Sequence, residues 1–208
     1  MVYLTGSASD AHRDTLMAAG VGLMTQPDSY GADQVSAWPR WAADNGCFAD
    51  AWEPKQWARW LATLPQTGCL FAVCPDVVSE HAQTLARFAV YSDTVREAGL
   101  PLAFVLQEGA TTATVPWSEI DAVFVGGSKP WKYSGDVAQL VAEARDRGLW
   151  THMGRVNGGK RIAYAQWIGC QSVDVTFLKY GPDINVPRLL RMLRRLEAAP
   201  PLGGAWAP

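Results

Sequence analysis

The chain has no apolar run approaching the roughly 18 to 20 residues that a membrane span requires. Its opening stretch, "MVYLTGSASDAHRD", has neither a basic n-region nor an apolar h-region, so a cytoplasmic protein without a membrane partner is expected. Cysteine is scarce. Cys47, Cys69, Cys74 and Cys170 form no C-x-x-C pair, and their spacing with His12, His81 and His152 matches no zinc pattern. Reduced, mostly buried thiols and no metal are expected. An excess of charge of one sign is also lacking. With a net charge of −2 there is no general attraction to nucleic acid, so any such binding needs a local basic patch. One candidate is "PRLLRMLRRLEAA" (187–199), whose arginines recur at helical spacing; a solvated helix face is the alternative. No Ser-His-Asp order, P-loop, G-x-G-x-x-G or H-E-x-x-H is present.

Apolar residues make up 49% of the 208, enough for one large core. The ten tryptophans are assigned to packing. Short apolar segments rich in β-branched residues recur at 2–6, 21–26, 40–46, 69–76, 102–109, 122–128, 150–156 and 172–178. Helical spacing follows at 8–19, 54–64, 79–98, 134–147, 159–168 and 187–197; the connections after the second and fifth strands are less regular. In the segment 79–98, Ser79 reads as the N-cap and Gly99 as the terminator. Eight alternations of strand and helix predict an α/β fold, a single compact (β/α)8 TIM-type barrel over 1–198, with an open doubly wound sheet as the alternative. The segment 199–208, "APPLGGAWAP", reads as an irregular tail.

The stretch "SVDVT" (172–176) places a carboxylate inside an apolar strand. An unpaired buried charge is expensive, so Asp174 must face something polar. Strand alternation puts Asp174 with Ser172 and Thr176 toward the lumen, and Val173, Val175 and Phe177 outward. The same parity pairs Asp44 with Ala42, Asp76 with Cys74 and Ala72, Gln107 with Val105 and Ala103, and Met153 with Thr151 as inward residues. Asp44, Asp76, Asp174, Gln107 and the turn Gly126-Gly127 then lie near the C-terminal strand ends, where barrels of this kind build their sites. Each has a structural alternative: Asp44 as an Asx-turn residue, Asp76 as a helix cap, and the glycines as a tight strand-to-helix turn. Two carboxylates near one carbon suit glycosyl transfer. An Asp beside a Gln and a Gly-Gly turn suits the polar edge of a purine-like base, with Phe48 and Met153 over its faces.

Six segments, in order, resemble those of the tRNA-guanine transglycosylases. "DNGCF" (44–48) is similar to their D-S-G-G-F/Y, "CPD" (74–76) to the segment of their base-reading Asp, and "FVLQEG" (104–109) to G-I-V-Q-G. "VFVGGS" (123–128) resembles their I-G-G turn, "HMGRV" (152–156) their L-M-G-V, and "GCQSVDVT" (169–176) the stretch that holds their nucleophile. The resemblance implies that Asp174 forms a covalent glycosyl intermediate and that Asp44 is the general base or acid. It further implies that Asp76, Gln107, Gly126 and Gly127 read the base while Phe48 and Met153 sandwich it. The C-x-C-x-x-C…H zinc site of the tRNA enzymes is missing, and Cys47 replaces the second glycine of D-S-G-G. The compact form is more like the phage and bacterial relatives that exchange guanine in DNA for a 7-deazaguanine such as preQ0, so DNA is the expected polymer and tRNA the alternative. A free guanine or deazaguanine base is then the second substrate, and no cofactor is required. Lys129, Lys132, Arg155, Lys160 and Arg161, in or near the loops after strands six and seven, are candidates for backbone phosphates or else solvated charges. Two rivals stay open. One is a barrel lyase or aldolase on a phosphorylated sugar, with Lys129 or Lys132 as Schiff base; the other is an inactive base-binding subunit.

Overall fold

The computed structural model describes residues 1–6, 10–27, 29–47 and 52–198. Phe48 and the tail 199–208 lie outside the described residues. Eight strands, β1 (Val2–Thr5), β2 (Gly22–Thr25), β3 (Trp41–Ala43), β4 (Cys69–Val73), β5 (Leu102–Leu106), β6 (Ala122–Val125), β7 (Trp150–Met153) and β8 (Ser172–Val175), pair in parallel in sequence order. Pairing of β1 with β8 closes them into a barrel. Around it run α1 (Asp10–Ala18), α2 (Ala32–Ser36), α3 (Pro54–Leu61), α4 (His81–Glu97), α5 (Lys129–Lys132), α6 (Gly135–Asp146), α7 (Gly159–Ile168) and α8 (Pro182–Ala198). The chain is a compact (β/α)8 barrel. The two irregular connections are the abbreviated ones: five residues of α2 after β2, and one 3-10 turn, Trp117–Glu119, after β5.

Local chemistry starts and stops these helices. Glu53 caps α3, its carboxylate accepting the N–H groups of Lys55 and Gln56, with Pro54 at the first helical position. Ser134 caps α6 through the Val137 N–H. The start of α4 departs from expectation. Ser79 is not the N-cap; it stands in the left-handed region at φ 62°, and Glu80 precedes the helix without a side-chain cap bond. Gly99 ends that helix as expected, at φ 72°, where the left-handed conformation suits glycine.

Two apolar layers share the strands. Trp41, Tyr3, Leu23, Val123, Val173 and Val175 pack outward with Leu16, Trp57, Phe88, Val137 and Leu140 of the helices. Leu4, Met24, Ala42, Phe71, Val73, Ala103, Val105 and Ala122 fill the lumen. Small residues on β3, β5 and β6 make room for Phe71 and Phe124, whose ring centroids are 6.4 Å apart. The lumen floor is therefore filled by side chains, and open space lies above it.

Candidate active site

The open space is a cavity of about 570 Å³, counted out to its mouth, at the C-terminal ends of the strands. Asp44, Asp76, Gln107, Gly126, Gly127, Lys132, Arg155 and Asp174 all border it, with Asn45, Val73, Val78, Val105, Phe124 and Gly154. Eight of the residues expected at the site therefore meet in one place. Lys129, Lys160 and Arg161 do not border it.

One wall comes from β3, β4 and β5. Asp44 follows the last residue of β3, its N–H still donating to the Thr25 carbonyl at 2.7 Å. Its Oδ1 accepts the Gly46 N–H at 3.1 Å, so it makes the Asx turn and faces the cavity at once. Asn45 adds a second such turn through the Cys47 N–H. Its Nδ2 donates to the Cys74 carbonyl at 2.9 Å and to Asp76 Oδ1 at 2.8 Å. The other oxygen of Asp76 accepts Gln107 Nε2 at 2.6 Å, and Gln107 Oε1 accepts the Ser79 N–H at 2.8 Å. Because the Ser79 N–H can only donate, it sets the carboxamide with its NH2 toward Asp76. The left-handed backbone of Ser79, costly for a residue with a Cβ, aims that N–H. Asp76 is thus no helix cap.

The Gly-Gly turn closes this wall. A Cβ on Gly126 would lie 2.7 Å from Gln107 Nε2 and 2.8 Å from Val105 Cγ1, and one on Gly127, at φ 77°, 2.7 Å from Glu108 Oε2. A side chain at Gly126 would displace Gln107, and one at Gly127 would displace Glu108 or Trp131. Glu108 Oε1 holds the turn by accepting the Ser128 N–H at 2.6 Å.

The opposite wall comes from β7 and β8. Asp174, 9% exposed, accepts His152 Nε2–H at 3.0 Å and the Arg155 backbone N–H at 2.9 Å, both on Oδ1. Arg155 reaches it from the left-handed region, φ 56°. Oδ2 takes neither bond. Behind His152 the chain of bonds continues: its Nδ1 lies 2.9 Å from Ser172 Oγ, which accepts Trp150 Nε1–H at 2.9 Å. With Asp174 ionised, Nε2 must carry the ring proton, so Nδ1 accepts the Ser172 hydroxyl. Burial opposes a second ring proton and holds the His152 pKa below its ordinary value, against the pull of Asp174. The imidazole is clamped between Phe124, at 4.7 Å between centroids, and Phe71, at 5.0 Å. Lys132, 8% exposed, places Nζ 2.8 Å from the Gly154 carbonyl; burial lowers its pKa while Asp174 raises it.

Burial pushes the Asp44 carboxyl up to about 6; Asp174 and Asp76 add to the rise, and the Gly46 N–H and Arg155 oppose it. Asp76 is raised by burial too, and the amides of Asn45 and Gln107, with Arg87, pull it back. Among the described residues, no three His, Cys, Asp or Glu side chains converge as metal ligands.

Two strand parities differ from expectation. On β7, Met153 is fully buried in the outer layer and does not face the cavity, while Thr151 bonds outward to the Gly169 carbonyl; His152 and Trp150 point inward. Met153 therefore cannot cover a base, and Val78, Val105 and Phe124 supply the apolar wall instead. On β4, Phe71 and Val73 are the lumen residues, and Ala72 and Cys74 pack outward. Asp76 still reaches the cavity because Cys74, Pro75 and Asp76 have left the strand. Sequence reasoning missed Asn45 and His152. The signal for Asn45 was its place beside Asp44 in "DNG"; for His152 it was a lone polar ring inside an apolar strand two residues from the Gly154 turn.

No helix among the described residues is long and apolar enough to cross a membrane. No known family model matches the chain, and no curated protein matches it either.

Proposed function

We propose that the protein is a base-exchange glycosyltransferase that replaces guanine in DNA with a 7-deazaguanine through a covalent glycosyl-Asp174 intermediate. One observation carries the reading: Asp174 has one oxygen pinned and one that accepts no bond from the described residues, across a cavity from the paired Asp76 carboxylate and Gln107 amide. Oδ2 attacks C1′ as the C1′–N9 bond breaks, and the departing guanine takes a proton at N9 from Asp44. The entering base gives its N9 proton back to Asp44, and its nitrogen attacks C1′, freeing Asp174. A group that must both give and take a proton works best with a pKa near the operating pH, and Asp44 at about 6 suits that role.

The opposite wall suits the base. The N1–H and N2–H groups of guanine fit the acceptors of Asp76, and its O6 fits the second hydrogen on Gln107 Nε2. A target in duplex DNA must first leave the stack, at a cost of a few kcal/mol. The test is incubation with guanine-containing DNA and with tRNA, each with radiolabelled guanine or preQ0. Label in DNA that vanishes with Asp174→Ala supports the proposal; label confined to tRNA keeps the chemistry and changes the polymer. Tight base binding without turnover would instead favour an inactive base-binding subunit.

A second reading has its own observation in Lys132, a buried amine with a lowered pKa on the cavity wall. A Schiff-base lyase or aldolase would use such an amine. Borohydride trapping of a carbonyl substrate on Lys132 would favour it and overturn the exchange reading.

A further inference from the structure

We propose that a groove between α8 and the start of α7 docks the phosphodiester backbone of the polynucleotide that carries the target base. The inference deepens the base-exchange reading and rests on it for the polymer's identity. The groove is lined by Arg188, Arg191, Arg195, Met192, Leu196 and Gly159. The three arginines fall at i, i+3 and i+7 and share one stripe of the helix, whose other face buries Val186 and Leu189. All three are exposed, and among the described residues none pairs with a carboxylate. Asp183, the acidic residue at the start of α8, lies 3.1 Å from His12.

Size and position favour a nucleic-acid strand. Seven residues of helix rise about 10 Å. A DNA strand carries one phosphate per about 3.4 Å of duplex rise, so the arginines cover about three nucleotide steps. A Cβ on Gly159 would lie 3.5 Å from Met192 Sδ, so α8 crosses the start of α7 closely and sets the arginines beside exposed Lys160. Gly159 is only four residues beyond Arg155, which borders the active-site cavity. That stretch reaches at most about 14 Å, roughly four nucleotides of rise. Met192 and Leu196 give the groove an apolar floor against which deoxyriboses can lie.

The segment that leads from β8 into α8 adds a fitting feature. Tyr180 and Ile184 are 72% and 76% exposed, large apolar groups six and ten residues beyond Asp174. Exposed side chains of this kind stack on neighbouring bases in proteins that hold a strand open. The arginines would then hold the backbone while Tyr180 supports the stack beside the extruded nucleotide.

The test is fluorescence anisotropy of a guanine-containing single-stranded oligonucleotide, as DNA and as RNA, across a salt series, with calorimetry of free guanine on the same proteins. The variants are the triple Arg188→Gln, Arg191→Gln, Arg195→Gln and a control with Arg40→Gln and Arg147→Gln on other elements. The triple variant is expected to lose at least about tenfold in affinity and to lower the slope of log K against log salt by about 2, three contacts at about 0.7 each. Guanine binding stays at the wild-type value, and the control keeps oligonucleotide binding. Tyr180→Ala is expected to lose affinity with an unchanged salt slope. Unchanged oligonucleotide affinity and slope in the triple variant, or no binding of either polymer by the wild type, overturns the groove. Wild type that binds oligonucleotide through the arginines but ignores guanine leaves the groove standing and overturns the base-exchange reading.

Discussion

Asp76 and Asp174 face the same cavity and are equally buried, yet their surroundings differ in kind. Each oxygen of Asp76 accepts one side-chain amide, from Asn45 and from Gln107. Asp174 takes its two bonds on a single oxygen, from an imidazole and a backbone N–H. A carboxylate held symmetrically by neutral donors is suited to further hydrogen bonds with a donor edge. A carboxylate held by one oxygen has its other oxygen fixed in direction and, among the described residues, without a partner, as a nucleophile requires. The residue type is the same, and the distribution of partners is what distinguishes the two roles proposed for them.

The largest expected effect breaks the two walls apart. Asp174→Asn should lower kcat at least about 10³-fold and abolish a covalent DNA adduct on denaturing gels, whereas Asp76→Asn should act mainly on KM for the free base. Equal losses of kcat in both variants would erase the distinction. Next is the support of Asp174. His152→Phe keeps an aromatic between Phe71 and Phe124 but removes the donor to Oδ1; a hydrogen bond to a charged group is worth about 1.5–3 kcal/mol. A fall in kcat of roughly ten- to hundredfold with unchanged KM is expected, and a merely structural role would show instead as lower thermal stability with normal kcat. Third, Gln107→Ala should raise KM for the base about tenfold, the equivalent of one hydrogen bond, and leave kcat nearly alone.

The smallest effects are the pH responses set by Asp44. Exchange should fall off on both sides of about pH 6: above it the carboxyl lacks the proton that the departing guanine takes, below it the carboxyl cannot take the proton of the entering base, and Asp44→Asn should lose both limbs with the activity. Stability should move in one direction only. The folded pKa is above the unfolded value, so the folded chain binds the proton more tightly between about pH 4 and 6. That contribution is full at low pH and is lost as pH rises through 6. For a partly exposed group this is about 1–2 kcal/mol, so Asp44→Asn should flatten the melting temperature against pH over that window. An unaltered profile would mean that Asp44 titrates as an ordinary surface carboxylate.

Much of the site was legible because its residues sit where strands end. Asp44, Gln107, Gly126 and Gly127 follow apolar runs directly, and Asp174 stands out against the valines beside it. His152 was not legible as part of it. Strands buried on both faces show no alternation, so "WTHM" reads equally well with either face inward. The same ambiguity reversed β4, where "CLFAV" is apolar throughout. Ser79 looked like a helix cap because its type suits one; the structure uses its backbone N–H instead, to orient Gln107.

The sequence by itself determined the order and number of strands, the alternation that makes a barrel, and most of the polar groups at its mouth. Those features are local, written in runs of apolar residues and the turn residues that punctuate them. Only the tertiary structure decided which face of β4 and β7 looks inward, which oxygen of Asp174 takes the bonds of His152 and Arg155, and that α8 lays its arginines beside α7. Each of these depends on the register with which distant strands close the ring, and register is set by packing between segments that no local pattern encodes.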